Sequence, residues 1–436
     1  MIKTVLPLSF IAASRFFGLF VVLPTLSIYA LSLQGATEKT VGLIIGVYAL
    51  SQMIFQVPFG VLSDRVGRKK AMVLGLLIFA IGSVVCAVSS DIYTMLAGRV
   101  LQGVGAIGGV ASAMIADSVS EENRSKAMAI MGAMIGLSFC MAMVFGSTLS
   151  NLWGLEGLFY LSAGISLLCV GLLFGIKETR KASDKSDKFS LIKIAKNHDL
   201  LILNLTSFLQ KMLMSVVFLL VPLVLVNSLG WGRDELWKVY AAGAGAGFLA
   251  MGAAGALGDG KGLAKAMLLF GVGLFAVAFL LFVVFGKSSF GFVVGAVIFF
   301  VGFNLHEPVM QSCASKFCTH DERGGALGLF TSCGYAGSFI GGALGGAVLG
   351  LWGASGVYAL ALAVCVLWFL LLLRLKNPNE FKNIYVPQNA LSKDLARAKL
   401  GGIKGIYDVY CAGENTAVKI DTKLINEAKV REILGL

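Results

Sequence analysis

Charge is what this chain has least of. Asp, Glu, Lys and Arg make up 14% of its 436 residues, beside three histidines and seven prolines; soluble domains carry roughly 25% charge. No G-x-x-x-x-G-K-[ST] loop occurs, which removes the usual phosphate cradle and ATP as the energy source. The histidines (198, 306 and 320) are far apart in sequence and no nucleophile–base set stands out, so an enzyme is not expected. Eight cysteines at 86, 140, 169, 313, 318, 333, 365 and 411 form no CxxC and no zinc-type spacing. That excludes a disulfide framework and a metal site, leaving small packing residues. "GAGAG" at 243–247 lies inside an apolar run, not after a soluble strand, so it is no dinucleotide loop. No cofactor is expected.

What the chain has is apolar length. With 57% hydrophobic residues and 54 glycines, and a mean hydropathy of +0.84, it repeats runs long enough to cross a bilayer as helices. Twelve are read, at about 5–31, 41–62, 71–89, 92–115, 127–149, 156–176, 200–226, 237–257, 266–285, 290–314, 326–350 and 352–373. The N-terminal segment resembles a signal peptide in its Lys3 and apolar stretch, but Arg15 interrupts it and no cleavage site follows, so it reads as an uncleaved first span. The net charge of +12 could point to nucleic acid; its placement does not. With the N-terminus inside, the inner loops hold 20 Lys and Arg, including Arg65, Arg68, Lys69 and Lys70, and the outer loops hold 4 (Lys39, Arg233, Lys238, Lys287). This positive-inside asymmetry places both termini in the cytoplasm.

The chain also repeats itself. "GVLSDRVGRKKAM" (60–72) returns 195 positions later as "GALGDGKGLAKAM" (255–267), sharing Gly60, Leu62, Asp64, Gly67, Lys70, Ala71 and Met72 with Gly255, Leu257, Asp259, Gly262, Lys265, Ala266 and Met267. Glu122 and Arg124 recur as Asp321 and Arg323, and Arg15 falls opposite Lys211 at an offset of 196. Six spans per copy give two parallel, pseudo-symmetric bundles. The domains are 1–176, a linker at 177–199 whose "FSLIKIAK" reads as an amphipathic surface segment, a second bundle at 200–376, and a soluble tail at 377–436. The tail reads βαββα, a small ferredoxin-like domain. A metal chaperone of that shape needs paired thiolates and Cys411 stands alone, so a docking or regulatory module is expected.

"GVLSDRVGRKK" between spans 2 and 3, and "RVLQGVGA" in span 4, resemble two signatures of the major facilitator superfamily, across residues 1 to about 375. The resemblance implies a twelve-helix, proton-antiporter-like transporter in a bacterial inner membrane. It would be powered by a proton gradient, rocking one half against the other, and working as a monomer on a small-molecule substrate in lipid. It also implies a latch: Asp64 at the start of span 11 (Gly324, Gly325), helped by Gly60 and Gly67, with Arg68 paired to Asp117. Asp259 would form a weaker second latch, since Leu263 replaces the arginine. Antiporters of the superfamily carry Gly-Pro late in span 5, where this chain has Gly146-Ser147.

Ionisable groups inside spans are functional candidates. Here they are Arg15, Arg99, Lys211 and the pair His306-Glu307, with Asn304 nearby. For Arg15 and Lys211 both interhelix hydrogen bonding and substrate or coupling roles stay open; His306 is a satisfied core histidine or a proton carrier. Glu307 is the only carboxylate well inside a span. Held between desolvation and a cation such as Lys211 or Arg15, it could load a proton on one side and release it on the other. The leading reading is proton-coupled efflux. Import or exchange of a small, anionic solute is the alternative within transport, and a non-transporting receptor with a signalling tail the alternative outside it.

Overall fold

The computed structural model describes residues 2–119, 121–176, 197–258, 262–319, 322–388, 391–412 and 415–435. The expected amphipathic segment in the linker and Asp259 lie outside these residues. Twelve passes are present among them. Spans 2 (Glu38–Val66), 3 (Arg68–Ala87), 8 (Leu236–Gly258), 9 (Ala264–Phe285) and 10 (Ser289–Lys316) are single helices. Span 7 (His198–Leu223) ends in one π-helical turn, Val224–Ser228. Spans 5 and 6 (121–153 and 155–174) run together through Gly154 at φ 67°, as spans 11 and 12 (323–352 and 354–373) do through Gly353 at φ 65°. Only glycine adopts that conformation cheaply, so one residue reverses the chain at the same place in each copy.

Two spans read as continuous are broken. Span 1 divides into Ile2–Phe20 and Leu23–Leu31, with Pro24 opening the second piece. Span 4 divides into Ile92–Val104 and Gly108–Asp117. In span 4 the tight bonds Ala106 N–H to Val104 O and Ile107 N–H to Gly105 O replace the helical ladder. Apolar composition hides such breaks, because the hydrophobic signal continues through them. Span starts are fixed by caps: Thr37 and Thr40 form a capping box on span 2, Asp91 accepts from Tyr93 and Thr94 N–H at span 4, and Asn197 accepts from Asp199 and Leu200 N–H at span 7. Each such cap contributes about 1 kcal/mol.

The largest apolar core runs through both halves, while a second core around Val5, Leu8, Met72, Val110 and Leu173 belongs to the first half alone. The halves meet through span 2 on span 11 and span 5 on span 8. They meet at one end only. From Val41 to Gln52 span 2 is mostly buried, whereas from Ile54 to Val66 only Phe59 and Ser63 are. Span 5 repeats the pattern, with no buried residue from Met128 to Leu137 and several from Ser138 to Ser147. The bundle is closed at the end of residues 37–46 and parted at the basic end of residues 64–70.

The tail adds β1 (Phe381–Pro387), β2 (Ile406–Ala412) and β3 (Asn415–Asp421) in the order β1-β3-β2, antiparallel throughout, with helices Lys393–Leu400 and Glu427–Leu434. Its own core holds Ile384, Val386, Leu400, Val418, Ile420, Val430 and Leu434. It also grips the bundle where span 10 ends. Tyr407 donates to the Phe317 carbonyl at 2.7 Å, Lys419 Nζ to the Cys318 carbonyl at 2.7 Å, and Phe381 stacks edge-on against Phe317.

Candidate functional site

Within the second half, Lys211 of span 7 and Glu307 of span 10 form an ion pair, Nζ to Oε2 2.9 Å, with each side chain a little over a quarter exposed. The Lys211 ammonium also lies 4.7 Å from the Phe303 ring centre, and Gln311 Nε2 donates to the other Glu307 oxygen at 3.5 Å. Gly334 of span 11 leaves the lysine stem room, since a Cβ there would meet Lys211 Cγ at 3.3 Å and Ser207 Oγ at 2.8 Å. Toward the closed end, rings from both halves fill the seam: Phe20 and Phe139 of the first half meet Phe218 and Phe303 of the second.

Arg15 and Arg99 lie apart from that pair, in the first half, at 1% and 0% exposure. Arg15 Nη2 donates to Gln52 Oε1 at 2.7 Å and, at the break in span 4, to the Gly105 carbonyl at 3.2 Å, which also accepts from Ile107 N–H. Arg99 donates to the Ile44 carbonyl at 3.3 Å and to Gln102 Oε1 at 2.6 Å, over the Tyr48 ring. Gln102 in turn donates to Ser83 at 2.8 Å.

His306 is fully buried and set edge-on to Phe275 and Trp368, with the Gly271 backbone at its back. It is packed among spans 9, 10 and 12. Asn304 is buried and donates to the Phe300 carbonyl one turn back in its own helix. At the basic end Arg68 bridges Asp64 (2.6 Å) and Asp117 (3.2 Å) and donates to Ser63 Oγ at 2.6 Å. Gly67 turns the chain at φ 104°. Gly60, expected to admit a close neighbour, and Gly324 have no atom within 4 Å of a would-be Cβ; Gly325, beside it, is half-buried. The charge cluster is thus assembled on the first half, and these two glycines are not seated against the opposite half.

Sequence reasoning missed Tyr48 and Tyr335. Tyr335 of span 11 packs on a first-half cluster of Leu19, Tyr48, Ala49 and Phe79. Both read as ordinary span residues, and only the offset pairing of Arg15 with Lys211 pointed near them.

The Major Facilitator Superfamily profile matches residues 8–262 and 205–393. The inner membrane transport protein YajR of Escherichia coli K12 is 34% identical over 96% of this chain and 94% of its own. A class E tetracycline resistance protein of Escherichia coli is 28% identical over 51% of this chain and 54% of its own. Among solved structures, a D-xylose–proton symporter superposes with a TM-score of 0.71 at 16% identity, covering 86% of this chain and 98% of that one, a likeness of fold alone. The family match and the relative aligned across nearly the whole length make this chain a membrane transporter of the Major Facilitator Superfamily.

Proposed function

We propose that the chain is a proton-coupled exporter of small molecules in a bacterial inner membrane, with Glu307 as proton carrier and both termini cytoplasmic. One observation carries the reading: Glu307, within span 10, is paired to Lys211 and still accessible. A proton on Glu307 dissolves that pair, leaving a neutral acid beside an ammonium and changing the charge of the cavity wall. Proton and substrate then compete for one electrostatic state, which is what coupling requires. The basic end, cytoplasmic by the loop charges, is the parted one, so the described state would accept substrate from inside.

In this reading Asp64, Arg68 and Asp117 are half of a latch that closes on the start of span 11 at Gly324–Gly325 when the halves rock. A carboxylate is stabilised at a helix N-terminus by about 0.3–2 kcal/mol, little enough to break each cycle. Asp259 would do the same more weakly. His306 and Asn304 are packing residues in this account, which leaves the coupling to Glu307 and Lys211. The tetracycline resistance relative supports export as the direction. The test is Glu307→Gln in proteoliposomes. Substrate counterflow should survive and proton-driven flux should fail; full proton-driven transport in the variant would remove Glu307 from the mechanism.

A further inference from the structure

The two halves balance their buried charge differently. Lys211 in span 7 has a carboxylate of its own half, Glu307, at 2.9 Å. Arg15, at the matching place in span 1, has none among the described residues. Its described partners are the Gln52 amide and the Gly105 carbonyl, both neutral. The second cation of that half, Arg99, is held by neutral oxygens as well. Arg15 and Arg99 are close enough to feel each other, with Tyr48 between them in reach of both. Two guanidinium groups buried together are costly unless something negative joins them.

The leftover hydrogen-bonding capacity has one sign. Arg15 Nε and Nη1 and Arg99 Nη2 are buried without a partner, and all three are N–H donors. A donor-only surface of net positive charge calls for a ligand that only accepts, and charge-assisted bonds from guanidinium to carboxylate are the strong case. The cover over this cluster comes from the other half, since Tyr335 of span 11 packs on the same Tyr48–Phe79 face. Movement of span 11 away from the first half would uncover that face.

We propose that Arg15, with Gln52 and Arg99 behind it, is the anion-accepting subsite of the transport cavity, and that the solute carries a carboxylate. The solute thus supplies to the first half what Glu307 supplies to the second. This rests on the reading that the chain transports a solute through the cavity.

The experiment is a melting-temperature titration of the purified full chain in lipid nanodiscs. Its probes are sodium benzoate, benzamide as the neutral isostere, and sodium chloride at matched ionic strength. Benzoate should stabilise saturably and benzamide should not. Arg15→Gln should weaken the apparent affinity at least about tenfold, since a hydrogen bond to a charged group is lost. Arg15→Lys should keep part of it. Gln52→Glu places a carboxylate beside Arg15, so it should raise the melting temperature without ligand and abolish the benzoate response. That second variant does not depend on a destabilised protein. Glu307→Gln should retain benzoate binding while losing proton-driven flux, so failure of the coupling mechanism is read separately. An Arg15-dependent response to chloride without one to benzoate would overturn the solute assignment in favour of a resident inorganic ion. No Arg15-dependent response to either anion, or an unchanged benzoate response in Gln52→Glu, would overturn the subsite itself.

Discussion

Replacing Gly42 by alanine tests whether the closed end is held by close backbone approach. A Cβ at Gly42 would sit 2.8 Å from the Gly346 Cα and closer still to the Gly342 carbonyl oxygen. Its neighbour Gly46 faces the Phe339 carbonyl at 2.8 Å in the same way. Ordinary contact needs 3.4–4 Å, so spans 2 and 11 must separate by roughly 1 Å, and overpacking of this kind costs about 1–3 kcal/mol. The cost falls only on the state in which these spans touch at this end. In the proposed rocked state, with the same helices parted there, the alanine would meet no clash. A bias of that size shifts a two-state equilibrium by roughly 5- to 150-fold. The assay is a pair of spin labels at Val88 and Leu351, exposed positions near the closed end, measured by pulsed dipolar spectroscopy in nanodiscs. The long-distance population should grow in Gly42→Ala and stay unchanged in Gly273→Ala, where a Cβ meets nothing within 4 Å. Unchanged distances in a Gly42→Ala protein of normal stability would refute the close-approach argument.

Other outcomes follow from the same contacts. Asp64→Asn should leave the protein inserted and folded but slow transport several-fold in a vesicle flux assay, because the neutral amide loses most of its attraction to Arg68 and to a helix N-terminus. Lys419→Met should loosen the tail from Cys318 and raise its cleavage by limited trypsin at least several-fold, while the bundle still elutes as a folded species on size exclusion. Cutting the chain after residue 376 should likewise leave a membrane-inserted transporter, checked by its melting temperature in detergent. Burial pushes the Tyr407 hydroxyl up to about 12 from 10.0, so the contact with Phe317 is complete below pH 10 and is lost as pH rises toward 12. Difference absorbance between wild type and Tyr407→Phe should place that titration nearer 12 than 10.

Long-range architecture was legible because it is written in hydrophobicity and repetition. Twelve apolar runs became twelve passes, and the tail's alternating pattern became three strands and two helices in the expected order. The Lys211–Glu307 contact joins residues 96 apart, yet two opposite charges in one apolar half leave few other ways to satisfy either. Breaks at Val21–Val22 and Gly105–Ile107 were illegible, since nothing polar marks them. His306 reads in sequence as a chemical neighbour of Glu307, but one residue along a helix turns a side chain by about 100°. That turn carries it from the partly exposed side of Glu307 into the packing against Trp368. The tail's hold on Phe317 and Cys318 depends on backbone carbonyls at a helix end, which every sequence has.

The tail's attachment gives the molecule a built-in handle. Seven of the eight cysteines are buried or half-buried, and Cys411, on strand β2, is exposed. The strand's own Tyr407 is bonded to the end of span 10, so β2 is carried by the second half. A fluorophore on that native thiol would ride with the second half, set by the hydrogen bonds and the aromatic contact at the end of span 10 instead of a loose linker. Paired with an acceptor on the first half, it would turn each cycle of the transporter into a change of colour, without introducing a second thiol into the second half.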